Sequence, residues 1–192
     1  MLKELSDFLR PLPRHLRRLW RPDIGTQVNF VKDDKRVRIP KGGATGSPYY
    51  HDHPYHPALT PANVKGIGVN GWCWADQLSE YVTFDLDSIA NHGDGLADEQ
   101  LAEVVGRLMD VPEAEIVRSK SGRGIHVRIF FDPQPRAISH TEHARNGARA
   151  LAWLVQKTAL PLEAAVDACA KIAWIWHQDT APSGFELLKE AT

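Results

Sequence analysis

A mixed α+β domain is the fold class this sequence predicts, and three observations carry the expectation. Segments with the two-residue alternation of strands and segments with the 3.6-residue period of helices succeed one another irregularly. No internal repeat is evident along the chain. The balance of 43% hydrophobic and 24% charged residues over 192 positions is that of one ordinary globular domain, able to bury a real core.

Taken in order, Leu2, Leu5 and Leu9 repeat at helical spacing, Pro11 and Pro13 interrupt, and Leu16, Leu19 and Trp20 resume, so two short helices are expected. Thr26 to Val31 and Arg36 to Ile39 read as strands of a hairpin about the charged turn Lys32-Asp33-Asp34-Lys35. From Pro40 to Pro61, glycine, proline, histidine and tyrosine dominate without an apolar period, which predicts a long loop. Gly66 to Asn70 and Tyr81 to Leu86 are the next strands. A helix over Asp98 to Met109 follows, with Leu101, Val104, Val105 and Leu108 on one face. Glu115 to Arg118 and Ile125 to Phe131 are strands flanking a glycine turn. Ser139 with Glu142 forms a capping box for a helix bearing Ala144, Ala148, Leu151 and Val155. Between Pro161 and Trp176 two readings stay open, because LEAAVDACAK is rich in helix formers while IAWIWH has strand composition.

Composition narrows the functional classes. No apolar run approaches the roughly 18 to 20 residues that span a bilayer, and MLKELSDFLR lacks a signal peptide's apolar centre, so a cytoplasmic protein without a membrane partner is expected. Cys73 and Cys169 form no CxxC pair, which indicates neither a disulfide framework nor a standard zinc site; small buried hydrophobes are expected instead. A net charge of −1 argues against indiscriminate attraction to nucleic acid, although RHLRRLWR concentrates cations near the amino end.

Two stretches carry chemistry. In YVTFDLDS, side chains at i and i+2 share a strand face, so Asp85 and Asp87 project together, opposite to Phe84 and Leu86, with Cα atoms roughly 7 Å apart. Such a pair repels itself unless a hard cation such as Mg²⁺ or Mn²⁺ sits between the carboxylates; the competing reading is two solvated acids at a loop entrance. In SKSGRGIHV, Gly122 and Gly124 allow close backbone approach and successive amides suited to phosphate oxygens. Ser119, Lys120, Ser121 and Arg123 add donors, and His126 opens an apolar strand. An ordinary hairpin turn with a satisfied core histidine is the alternative.

The order FDLD and then SGRGIHV resembles the first two motifs of the archaeo-eukaryotic primase superfamily, hydrophobic-DxD and SxGxxH, in particular its primase-polymerase branch. KGIGVNGW, with Gly68 and Gly71, is similar to the glycine-containing strand before the DxD strand. VRIPKG, ending in Lys41 and Gly42, is a weaker match to a lysine-proline segment, and Val166-Asp167 is similar to the single-acid third motif, with Asp179 as its substitute. The resemblance implies an archaeo-eukaryotic primase-like catalytic core with an RRM-like sheet and packed helices. It implies one domain over 1–192, made of an N-terminal α/β module (1–65, basic helices and long loop) and a catalytic core (66–192). It implies that Asp85, Asp87 and Asp167 hold two Mg²⁺ or Mn²⁺ ions and that Ser119, Lys120, Ser121, Arg123 and His126 bind nucleoside triphosphate. The implied activity is template-directed nucleotidyl transfer on single-stranded or primed DNA, as primase, polymerase or both, alongside a helicase or other replication partner, in replication of a mobile element or in repair.

Around this centre, Arg14, Arg17, Arg18, Lys32, Lys35, Arg36 and Arg38 are candidates for gripping template phosphates. Trp72, Trp74, Trp174 and Trp176 are candidates for base stacking, with core packing as the competing role, favoured for Trp174 and Trp176 by their alternation. His51, Asp52, His53 and His56 have metal-binding chemistry without cysteine, so a metal site is set against a loop bordering a nucleotide pocket or plain surface. Two other functions use the same residues: a metal-dependent nuclease or phosphohydrolase with water as nucleophile, and a non-catalytic single-strand-binding module.

Overall fold

The computed structural model describes residues 10, 14–19, 24–32, 35–39, 64–86, 96–119, 122–160, 173–176 and 186–192, with residues 14, 24–32, 35–39, 64–67 and 173–176 described by their backbone. The expected hairpin forms from β1 (Ile24–Lys32) and β2 (Lys35–Ile39), with Lys32 opposite Lys35 at the turn. β1 also pairs antiparallel with β3 (Val64–Cys73), whose far end pairs with the two-residue β4 (Leu78–Ser79). β8 (Ala173–Trp176) pairs antiparallel with β3 as well, which makes AWIW a strand and completes a five-stranded sheet. Pro161 to Ile172 lie outside the described residues.

The second sheet has the order β5-β7-β6-β9, from β5 (Tyr81–Leu86), β6 (Ala114–Arg118), β7 (Ile125–Phe130) and the short β9 (Leu187–Lys189). β5 and β6 are both antiparallel to β7, hence parallel to each other, and the chain passes between them through helix α2 (Asp98–Met109). This is a split β-α-β unit, a parallel pair with an antiparallel strand inserted. β8, which follows the second long helix, belongs to the other sheet, and the edge beside β6 is taken by β9.

Alternation decides what each face does. Val82, Phe84 and Leu86 from β5, Ile116 from β6, and Val127 and Ile129 from β7 form one apolar face. Against it pack Leu101, Val104 and Leu108 of α2, the stripe its spacing predicts, and Ala150, Leu151 and Leu154 of α3 (His140–Thr158), where of the expected Ala144, Ala148, Leu151 and Val155 only Leu151 is buried and Ala148 is exposed. At the start of α3, Ser139 Oγ accepts from the Glu142 amide at 3.2 Å. The box is half of the one expected, because the Glu142 carboxylate accepts from the Ile138 amide rather than from Ser139.

The two sheets share one continuous run of chain. Between β4 and β5, the Glu80 amide donates to Gly71 O of β3 at 2.8 Å, while Glu80 O accepts from the Phe131 amide at 2.9 Å. The crossing is tight: Gly71 has φ +81°, and a Cβ there would lie 2.0 Å from Tyr81 O. Only glycine tolerates both the conformation and the approach. α3 is tied to the same corner through polar atoms. His143 Nδ1 meets Ser79 Oγ (2.9 Å), its Nε2 meets Asn70 O (2.7 Å), and Asn146 Nδ2 donates to Ser79 Oγ (3.0 Å). Burial holds His143 down to about 4, so the ring is neutral at physiological pH.

Candidate active site

The face of the second sheet that turns away from the helices is built of cross-strand rows. Asp85 of β5 lies opposite His126 of β7, which lies opposite Val117 of β6; Thr83, Arg128 and Glu115 form the next row, and Tyr81 and Phe130 the one after. Asp85 and His126 therefore meet because β5 and β7 are antiparallel in this register, and their motifs are brought together from different parts of the chain. His126 Nε2 is 3.3 Å from Asp85 Oδ1, with side chains 18% and 5% exposed. That separation lets charge act between the groups while lying just beyond the usual N–H···O range.

One row further, Glu115 is wholly buried and paired by two cations. Arg128, itself 1% exposed, donates to Oε1, and Arg18 donates to Oε2. A carboxylate this deep needs such pairing. Arg18 also lies over the Phe130 ring, 4.2 Å from its centroid, and Tyr81 Oη donates to Leu19 O at 2.7 Å. Burial pushes the Tyr81 phenol well up, so it remains a donor. Among the template candidates, Arg18 has a structural tie: its guanidinium anchors the short helix α1 (Arg14–Arg17) and the turn after it against the sheet. Arg17 is exposed, as a template contact requires.

The glycine turn after β6 is formed as a tight loop. Gly122 has φ +76°, its amide donates to Ser119 O (3.0 Å), and the Ser119 amide donates to Gly124 O (2.8 Å). These two amides are consumed by the turn itself, so the expected row of phosphate-binding amides does not include them. Arg118 Nη1 braces the turn through Gly122 O (3.3 Å) and its Nε pairs with Glu186 (3.2 Å). Arg123 is exposed and Ser119 is buried. Asp87, Lys120, Ser121, Asp167, Asp179 and the cluster His51, Asp52, His53 and His56 lie outside the described residues.

For a divalent cation, Asp85 supplies the required donor type, a hard carboxylate oxygen almost closed to solvent. Among the described residues no group of three His, Cys, Asp or Glu side chains converges as a metal cluster. Of the two roles left open for Trp72, the structure takes core packing: it is 3% exposed with Nε1 donating to Ala137 O at 2.8 Å. Trp74 is half-buried; for Trp174 and Trp176 the described feature is backbone pairing in β8. Cys73 is buried, as expected of a small hydrophobe. Among the described residues no helix is long and apolar enough to cross a membrane.

Sequence reasoning passed over Arg128, Glu115 and Thr83. The alternation in IHVRIF already puts Arg128 on the face of His126, whereas Glu115 becomes its partner only through the β6–β7 register.

No protein-family model matches the chain, and no curated protein matches it. Among solved structures it is similar to the polymerase domain of Mycobacterium tuberculosis Ligase D in complex with DNA, at 13% identity and a TM-score of 0.45, over 99% of this chain and 75% of that one.

Proposed function

We propose that the chain is a template-directed nucleotidyltransferase, a primase-polymerase-type catalytic domain of the archaeo-eukaryotic primase kind. It would be one domain over 1–192, with an N-terminal module over 1–65 and an RRM-like sheet carrying the site. The observation that carries the reading is the pairing of Asp85 with His126, because it joins the DxD strand and the glycine-histidine strand at one place on one sheet face.

In this reading Asp85, Asp87 and Asp167 hold two Mg²⁺ or Mn²⁺ ions, which when bound supply Lewis-acid activation of a 3′-hydroxyl and charge neutralisation on the phosphates. The chain's own residues position the reactants. His126, beside Asp85, and Arg123, exposed on the turn, take the nucleotide's phosphates together with Ser119, Lys120 and Ser121. The Glu115 pairing beneath them keeps the sheet face rigid. DNA template and nucleoside triphosphates are the partners, with a helicase or other replication protein nearby in the cytoplasm.

Primer extension tests it. With Mn²⁺, labelled nucleotides and a primed template, the full chain lengthens the primer and Asp85→Asn does not. Shortening of the primer assigns hydrolysis instead, and equal extension by Asp85→Asn removes the assignment.

A further inference from the structure

On the far side of the sheet from Asp85, three arginines ring a concave space of about 370 Å³ beside α3: Arg136, Arg145 and Arg149. All three are exposed, and among the described residues none of them forms an ion pair with a carboxylate. Arg145 and Arg149 stand four apart on one helix, a like-charge spacing that destabilises the helix. Glu142, the acid that shares the space, has its carboxylate on the Ile138 amide at 2.8 Å.

The arrangement is built from a buried residue. Asn146, 4% exposed, donates through Nδ2 to Arg136 O at 2.9 Å and to Ser79 Oγ at 3.0 Å, while its Oδ1 accepts from Arg149 Nη1 at 3.4 Å. One side chain locked into the corner between β4 and α3 thus holds the Arg136 main chain and one nitrogen of the Arg149 guanidinium. Asn146 and Arg149 also border a second cleft of about 450 Å³, so the two spaces adjoin. Its lining includes Phe131, Pro133, Pro135, Ala150 and Trp153, together with Glu113 and Asp132. Cations in one space beside aromatic and apolar walls in the next match the two parts of a nucleotide unit, its phosphate and its base.

We propose that the groove formed by Arg136, Arg145 and Arg149 with the Trp153 cleft is a binding site for single-stranded nucleic acid, holding phosphodiester on the arginines and a base in the cleft. Phe130, which borders the cleft, is four residues along β7 from His126, roughly 13 Å, so the groove is separate from the proposed catalytic end. The inference stands apart from the transferase reading, because binding is measured without metal or triphosphate.

The experiment is fluorescence anisotropy of the full chain with a labelled mixed-sequence 12-nucleotide single strand, in EDTA, over a range of salt. The double variant Arg145→Ala/Arg149→Ala is expected to bind tenfold or more weakly, with the slope of log affinity against log salt smaller by about 1.4, the release expected from two phosphate contacts. Trp153→Ala is expected to weaken binding roughly tenfold, and Trp153→Phe, which keeps an aromatic wall, by no more than about twofold. Lys157→Ala, at an exposed cation of α3 that lines neither space, should bind as the parent does. The proposal is overturned if the double arginine variant keeps parental affinity and slope, or if Lys157→Ala loses binding to the same extent. Displacement by polyglutamate as effective as by unlabelled strand also overturns it, assigning the groove to an acidic peptide.

Discussion

On the helix-covered face of the second sheet, Phe84, Leu86 and Val127 are buried among hydrocarbon; on the opposite face their chain neighbours Thr83, Asp85 and Arg128 are buried as fully but with polar atoms. The first face is stabilised by area removed from water, at about 25 cal/mol per Å². The second requires a partner for each charge, and it divides along its length. At the Glu115 row a carboxylate is enclosed by Arg18 and Arg128, whereas at the Asp85 row a carboxylate faces an imidazole beyond good hydrogen-bonding distance. Equal burial therefore goes with different surroundings: Glu115 is held by two guanidinium groups, while Asp85 lies beside the imidazole of the strand that follows the glycine turn.

The largest effect that sharpens this contrast is at Asp85. Asp85→Asn should lower primer extension by more than about a thousandfold, yet leave the urea midpoint unchanged or slightly raised, since a buried charge is removed. A large loss of stability would place Asp85 with the structural row. Next come the two structural arms. Phe84→Ala, measured by urea unfolding, should cost about 3–5 kcal/mol through the cavity it leaves. Glu115→Ala should cost a similar ~3–5 kcal/mol by stranding the Arg128 guanidinium. If Glu115→Ala were neutral, the network would not be what holds that face.

A third test concerns the corner where α3 meets the sheets. His143 is held at about 4 against an ordinary 6.5, so between those values the unfolded chain binds a proton that the native chain refuses. Stability should fall by up to about 3 kcal/mol as pH drops through that window, a slope that His143→Gln should flatten in urea titrations at pH 7 and pH 4.5. His126→Ala should weaken nucleotide binding about tenfold in equilibrium titration, with a smaller change in stability than Glu115→Ala. The smallest effect is at Thr83, whose buried hydroxyl has no hydrogen-bond partner among the described residues; Thr83→Val should be neutral or stabilising by up to ~1 kcal/mol.

Periodicity was enough to find the long elements. The helix over Asp98–Met109 and the strand over Tyr81–Leu86 occur as their patterns predict, because each presents a repeating apolar stripe to one core. β4 and β9 were not legible, since strands of two and three residues are too short to display a period. The partners of Arg18 and Trp72 were not legible for a related reason. A cation in RHLRRLWR and an indole in NGWCW carry no local sign that Glu115 and the Ala137 carbonyl will receive them.

Sequence by itself determined that Asp85 projects opposite to Phe84 and Leu86 and that a glycine turn precedes His126, because side-chain alternation and backbone permissiveness are local properties of the chain. That Asp85 faces His126, that Glu115 lies between Arg18 and Arg128, and that arginines of α3 border an aromatic cleft were decided only by tertiary structure. Strand register and helix docking follow from the simultaneous burial of many apolar residues distant in the chain, and a one-residue slip of β7 would separate Asp85 from His126 and Glu115 from Arg128.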